Sequence, residues 1–138
     1  MKTVLIPTDF SQDSLYTIRF VLNLLQEVQT SWRILLVNTF KVLNTDAKQI
    51  ITKNDELKQQ SKEGLKQVLA ETKKQLTNPH ITVETMSTMG SLNNVIYQMI
   101  HQEKIEFVAM GKDGGRHVEA VSALLKKEHC PLLITFIE

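Results

Sequence analysis

Five short runs of mostly apolar, often β-branched residues recur along the chain, and segments of helical character lie between them. The runs are 3-TVLIP-7, 33-RILLVNTF-40, 81-ITVETM-86, 105-IEFVAM-110 and 131-PLLITFIE-138. A continuous apolar run, as opposed to a strict alternation, marks a strand buried on both faces, and such a strand needs helices above and below it. The third run alternates better than the others and predicts a half-exposed edge strand.

The intervening segments supply those helices. Leu15, Ile18, Leu22 and Leu25 recur at helical spacing and predict a helix over 12–29. Ser11 is a good N-cap for it, and Asp13 falls in the first turn, where the helix dipole favours an acid. Residues 41–53 have no clear period and read as a connection or a mobile loop. Residues 54–77 are highly charged, with Leu57, Leu65, Val68, Leu69 and Leu76 on one side, and Asn78-Pro79 ends that helix. After a cap at Gly90-Ser91 come Leu92, Val95, Ile96, Met99 and Ile100. Val118, Val121, Leu124 and Leu125 point inward from a last helix over 117–128. Strand and helix alternate throughout, and every crossover is long enough for a right-handed parallel connection. The predicted fold class is α/β: a single doubly wound domain over residues 1–138, with five parallel strands flanked by four helices. Ligands of such sheets bind outside the carboxyl ends of the strands, where the strand order reverses. That singles out 7-PTDFS-11 and 111-GKDGG-115.

Composition narrows the class of partner. The chain has 138 residues, 42% hydrophobic and 22% charged, with 16 basic and 15 acidic side chains and a net charge of +1. Such a balance gives no general attraction to nucleic acid or to an anionic membrane, and neither is expected as a partner. A lone cysteine, Cys130, fits a reducing compartment. The N-terminal residues turn polar too soon for a signal peptide, and no apolar run approaches the ~20 residues needed to span a bilayer. The expected location is cytoplasmic. The last strand, rich in Leu132, Leu133, Ile134, Phe136 and Ile137, would invite pairing if it lay at a sheet edge, so a homodimer joined through the C-terminal strand is expected.

Several chemistries are excluded by spacing. A phosphate-binding loop of the Walker type needs Ser or Thr after Gly-Lys, and here Gly111-Lys112 is followed by Asp113. A Rossmann fingerprint needs a glycine-rich turn after the first strand, and PTDFS has none. A receiver domain would place an Asp at the end of the third strand, where Met86-Ser87 stand. The histidines His80, His101, His117 and His129 do not form a ligand set with Cys130, so no metal is expected. Asp9 at the helix entry is more naturally a hydrogen-bond acceptor or a ligand contact than a general base. No catalytic residue is expected, and the chain is not expected to be an enzyme.

The segments 4-VLIPTDFSQDSL-15, 35-LLVNTF-40, 89-MGSLNNVI-96, 108-VAMGKDG-114 and 129-HCPLLI-134 together resemble the universal stress protein family, over essentially the whole chain. The resemblance implies a five-stranded parallel sheet of order 3-2-1-4-5, adenine-nucleotide α-hydrolase-like, and dimers formed through the fifth strand. The family has a branch that binds ATP or other adenine nucleotides and a branch that does not. For a nucleotide site the resemblance assigns Pro7, Thr8 and Asp9 to the adenosine side. It assigns Thr39, or Asn38 if the alignment slips by one, to the end of the second strand, and Met110, Gly111 and Gly114 to the start of the phosphate loop. The rest of the loop departs from the pattern. Counted back from His129-Cys130-Pro131, the family's Gly-Ser position falls on Val118-Glu119, with three residues after Gly114 instead of nine. Glu119 would then stand where a phosphate-binding hydroxyl belongs and, if it points at the phosphate site, would repel a triphosphate, with Asp113 adding to the charge. Lys112, Arg116 and His117 could offset them toward a smaller anion. The expected function is a stress-response protein of regulatory role, acting through dimerisation and protein partners, without a cofactor. The alternative is a regulatory protein that binds ATP or AMP. An enzyme of the wider adenine-nucleotide α-hydrolase-like group is the least supported, because its motifs are missing.

Overall fold

A computed structural model describes residues 1–41, 47–112 and 116–136, with 47–53 and 116 as backbone alone. The strands are β1 (Lys2–Pro7), β2 (Trp32–Phe40), β3 (Ile81–Met89), β4 (Phe107–Gly111) and β5 (Leu132–Thr135). The helices between them are α1 (Gln12–Gln26), α2 (Ala47–Gln75), α3 (Leu92–Gln102) and α4 (Arg116–Lys127). The strands form one sheet in the order β3-β2-β1-β4-β5, every neighbouring pair parallel. The chain winds outward from β1 to one edge, returns to β4, and finishes at the other edge.

The apolar runs follow from this layering. Along β1, Val4 and Ile6 point into a core shared with Ile18, Val21 and Leu22 of α1 and with Leu65 and Val68 of α2. Leu5 points the opposite way, among Val95, Ile96 and Met99 of α3 and Val121 and Leu125 of α4. The same alternation divides β2, with Ile34 and Leu36 on the first face and Leu35 and Val37 on the second. A strand whose two faces both meet helices has few positions left for a polar residue, and along the middle of β1 and β2 they are apolar. β3 differs because it lies at an edge: Ile81 and Val83 are buried while Thr82 and Glu84 are exposed, and Glu84 meets Arg33 of β2 at 3.4 Å. This is the half-exposed edge strand that alternation predicts.

Both expected caps form. Ser11, with φ −70° and ψ 161°, accepts the Ser14 N–H at 3.2 Å, and Ser91 accepts the Asn94 N–H at 3.3 Å. Gly90 before the second cap has φ +137°, a backbone conformation that glycine adopts without a Cβ penalty.

Several boundaries differ from the sequence reading, and α1 stops at Gln26 instead of 29. α2 begins at Ala47 instead of 54. Good helix formers such as Ala47, Lys48 and Gln49 extend it where no buried stripe signals a helix. Residues 42–46 of the expected connection lie outside the described residues. β3 runs to Met89, three positions beyond its alternating part, because its backbone stays paired with β2 as far as Phe40. β4 starts at Phe107 and β5 covers Leu132–Thr135. Ile137 and Glu138 lie outside the described residues. Among the described residues no helix is long and apolar enough to cross a membrane.

Candidate functional site

Strand order reverses between β1 and β4, where the connections leave in opposite directions and open a gap at the carboxyl ends. A cleft of about 460 Å³ occupies that gap. Its walls include Pro7, Thr8, Asp9, Thr39, Met110 and Gly111, six of the residues picked out in the sequence, together with Asn38. Gly114, the remaining one, lies outside the described residues, as do Asp113 and Gly115.

The loop after β1 is tied down from several sides. The Thr8 N–H donates to the Val37 carbonyl at 2.8 Å, extending the β1–β2 pairing by a residue. The Asn38 side-chain amide donates to the Thr8 carbonyl at 2.7 Å. Thr8 Oγ1 accepts the Phe10 N–H at 3.1 Å and lies 2.9 Å from Ser14 Oγ in a buried contact. Asp9 Oδ1 accepts the Ser11 N–H at 3.0 Å. These bonds hold Phe10 at φ +66°, the left-handed region, which costs a residue with a Cβ about 1 kcal/mol or more.

Asn38 and Thr39, left as alternatives by the alignment, both reach the cleft but differ in availability. Asn38 spends its amide donor on the loop, so it acts first as a brace. Thr39 lines the cleft with no such bond among the described residues.

Asp9 is exposed on the rim. Partial burial works against its charge, but hydrogen bonding from Ser11, through its hydroxyl and its N–H, and from the Ser14 hydroxyl outweighs that penalty. The carboxyl is held below the usual carboxylate range. It is an acceptor fixed in place, suited to a hydroxyl pair such as a ribose edge.

Asp13 brings a second carboxylate that the sequence placed only as a helix-dipole partner. From the first turn of α1 it reaches across to β4, where a Cβ at Gly111 would run into its carboxyl group. Gly111 leaves the room that this close approach uses. Only four positions, 112–115, separate it from Arg116 at the start of α4.

The expectation for Glu119 is corrected here. It lies exposed in the first turn of α4 and is not among the cleft-lining residues; His117 of the same turn lines the cleft instead. One position is 100° of helix, so a two-residue offset carries the side chain to another face. The acid that faces the start of the loop is Asp13. The remaining walls are Val37, Lys41, Leu92, Ser11 and Ser14, of which Lys41 is exposed and basic. Lys41 and Leu92 carry no sequence signal, since nothing local distinguishes a lysine after a strand or a leucine opening a helix. Among the described residues no group of three His, Cys, Asp or Glu could hold a metal ion.

A parallel five-stranded sheet of this order, with a cleft at its reversal point, defines a doubly wound α/β protein. Within that class, the profile of the universal stress protein family matches residues 1–135, and the chain belongs to this family. Comparison with solved structures agrees. A protein of the family from Burkholderia pseudomallei superposes with a TM-score of 0.70 at 16% identity, over 97% of this chain and 95% of that one. The universal stress protein UspA from Lactobacillus plantarum gives 0.68 at 16% identity, over 99% and 97%. A family protein from Arabidopsis thaliana, solved with AMP bound, gives 0.63 at 16% identity, over 100% and 93%. At these identities the likeness is one of fold. Sequence comparison with curated proteins finds no match.

Proposed function

We propose that this chain is a cytoplasmic, non-catalytic regulator of the stress response that acts as a homodimer through protein partners and does not hold ATP. The carrying observation is the Asp13 carboxylate packed on Gly111, at the position where the phosphates of a nucleotide would begin. A carboxylate fixed beside a polyphosphate is repulsive, and the partly enclosed site screens it less than water would. The four-residue connection from β4 to α4 leaves little backbone to wrap a triphosphate. Calorimetry and thermal shift with ATP, ADP, AMP and adenosine, with and without Mg²⁺, test the reading. A ligand that binds the folded state alone must raise the melting temperature. The expected result is no ATP binding at micromolar concentrations. Micromolar ATP binding that is lost on Asp9→Ala would overturn it, and steady ATP turnover abolished by a site substitution would overturn the non-catalytic part.

The dimer is supported by surface chemistry. β5 is an edge strand, and Phe136 just beyond it is 58% exposed. Thr17 of α1 meets Thr135 of β5 through a 2.7 Å hydroxyl contact. Phe20 and Leu24 follow Thr17 at helical spacings of three and seven on the same side and are 41% and 47% exposed. Exposed apolar side chains thus stand both beside the open edge and on the helix packed next to it, the kind of surface a second copy would cover.

A second reading has its own support. The cleft volume lies within the range of small-ligand sites. Structures similar to this one hold cAMP, AMP or dAMP. In this reading an adenine mononucleotide binds with its ribose on Asp9 and its single phosphate turned toward Lys41 and His117. AMP binding without ATP binding in the same titrations would favour it.

A further inference from the structure

A glycine inside a long helix calls for a reason, because glycine is a poor helix residue and alanine the best. Gly64 lies within α2, and a Cβ there would lie 2.5 Å from two atoms of the Phe10 ring. We propose that Gly64 is a positioning residue for the cleft: it seats the Phe10 ring, and through Phe10 it holds the Asp9 carboxylate in place.

The loop after β1 presents its residues to two sides. Pro7, Thr8, Asp9 and Ser11 line the cleft. Phe10, between Asp9 and Ser11, does not, and its ring packs against the core that α1 and α2 share. The outer ring atoms, Cε1, Cζ and Cε2, are the ones that meet Gly64. An anchor and a cleft carboxylate thus stand on adjacent residues.

The bonds around Asp9 are short in range. The Phe10 N–H reaches the Thr8 hydroxyl and the Ser11 N–H reaches Asp9, each across two positions, so they travel with the loop. Upstream, Thr8 is fixed to β2 through Val37 and Asn38, and downstream Ser11 is fixed to α1 as its cap. Between these points the backbone is left-handed at Phe10, φ +66°, a conformation that the surroundings must impose. The ring on Gly64 ties this middle part of the loop to α2. A methyl group at Gly64 must displace the ring, and a densely packed core passes that displacement on to the loop backbone. Asp9 is exposed, so its geometry depends on that backbone.

The assignment deepens the second reading above, which rests a ribose on Asp9, and it is tested first without a ligand. The Asp9 carboxyl is followed by carbon-13 NMR through acid pH in the whole protein. Hydrogen bonds from Ser11 and Ser14 hold its pKa down, so losing their geometry must raise it. In Gly64→Ala the Asp9 midpoint should move up toward the ordinary carboxylate value. Adding Phe10→Leu, which makes room for the new methyl group, should bring it back toward the parent. Phe10→Ala alone removes the anchor without crowding α2 and should raise the midpoint too, which decides the matter if Gly64→Ala does not fold. With AMP as the probe, Gly64→Ala should weaken binding about tenfold, the loss of one hydrogen bond to a charged group. A parent protein that does not bind AMP would remove the second reading, while the titration still decides the role of Gly64. An Asp9 midpoint unchanged in Gly64→Ala and in Phe10→Ala, with only the melting temperature altered, would overturn the assignment and leave Gly64 a packing residue.

Discussion

At the scale of single residues, two close approaches organise the site, and each joins residues far apart in the chain. Asp13 occupies the space a side chain at Gly111 would need, and Phe10 does the same at Gly64. Gly111→Ala should therefore destabilise the protein by roughly 1–3 kcal/mol, the usual cost of overpacking. Adding Asp13→Ala should recover part of that loss, a coupling readable by denaturant unfolding of the single and double variants. Asp9 makes a pH-dependent contribution whose sign follows from its lowered pKa. Its folded value lies below its unfolded one, so its stabilisation is present above the unfolded pKa and disappears as pH falls through the folded pKa. Asp9→Asn should melt slightly lower than the parent protein at neutral pH, and the gap should close as the pH is taken below about 4. Melting curves across that range check it. A gap that widened on acidification would contradict the hydrogen-bonding scheme of the loop.

At the scale of elements, the caps and the edge strands carry the argument. Ser11 was legible as a cap because a hydroxyl before an apolar helical period has few other roles. Ser11→Ala should cost about 1 kcal/mol in unfolding free energy, since Ser14 loses its N–H acceptor. The two edges differ in protection. β3 presents Thr82, Glu84 and Thr85 to solvent, with Glu84 paired to Arg33, a polar edge that resists pairing. β5 has no charged residue in Leu132–Thr135, and that contrast was visible in the sequence alone. The start of α2 was not visible there, because a solvated helix has propensity but no periodic stripe to announce it.

At the scale of the whole molecule, the exposed apolar side chains Phe20, Leu24 and Phe136, beside the β5 edge, lead to a measurable expectation. Sedimentation or sizing at several concentrations should show a dimer, and Leu24→Glu should shift it toward monomer with the circular dichroism spectrum unchanged. A parent protein that stays monomeric at high concentration would remove the dimer from the proposed function. The same scale decides the fate of the phosphate site. The sequence suggested that Glu119 would oppose phosphate, from a count along one loop. In the folded chain α4 turns Glu119 outward and α1 delivers Asp13 in its place.

By itself the sequence determined the strand and helix alternation, the buried and half-exposed strands, the caps, and six residues of the cleft. The elements and caps are local patterns: a period, a run length, or a hydroxyl before a helix; the cleft residues rested on the resemblance to a known family. The tertiary structure alone decided which acid stands over Gly111, that Asn38 braces the loop while Thr39 faces the cleft, and that Lys41, Leu92 and His117 complete the walls. It also decided that the Phe10 ring fills the space over Gly64. Those facts depend on the distance and angle between elements that meet only after the sheet has assembled. A sequence pattern records which face of an element is buried, but it does not record which residue lies across from it.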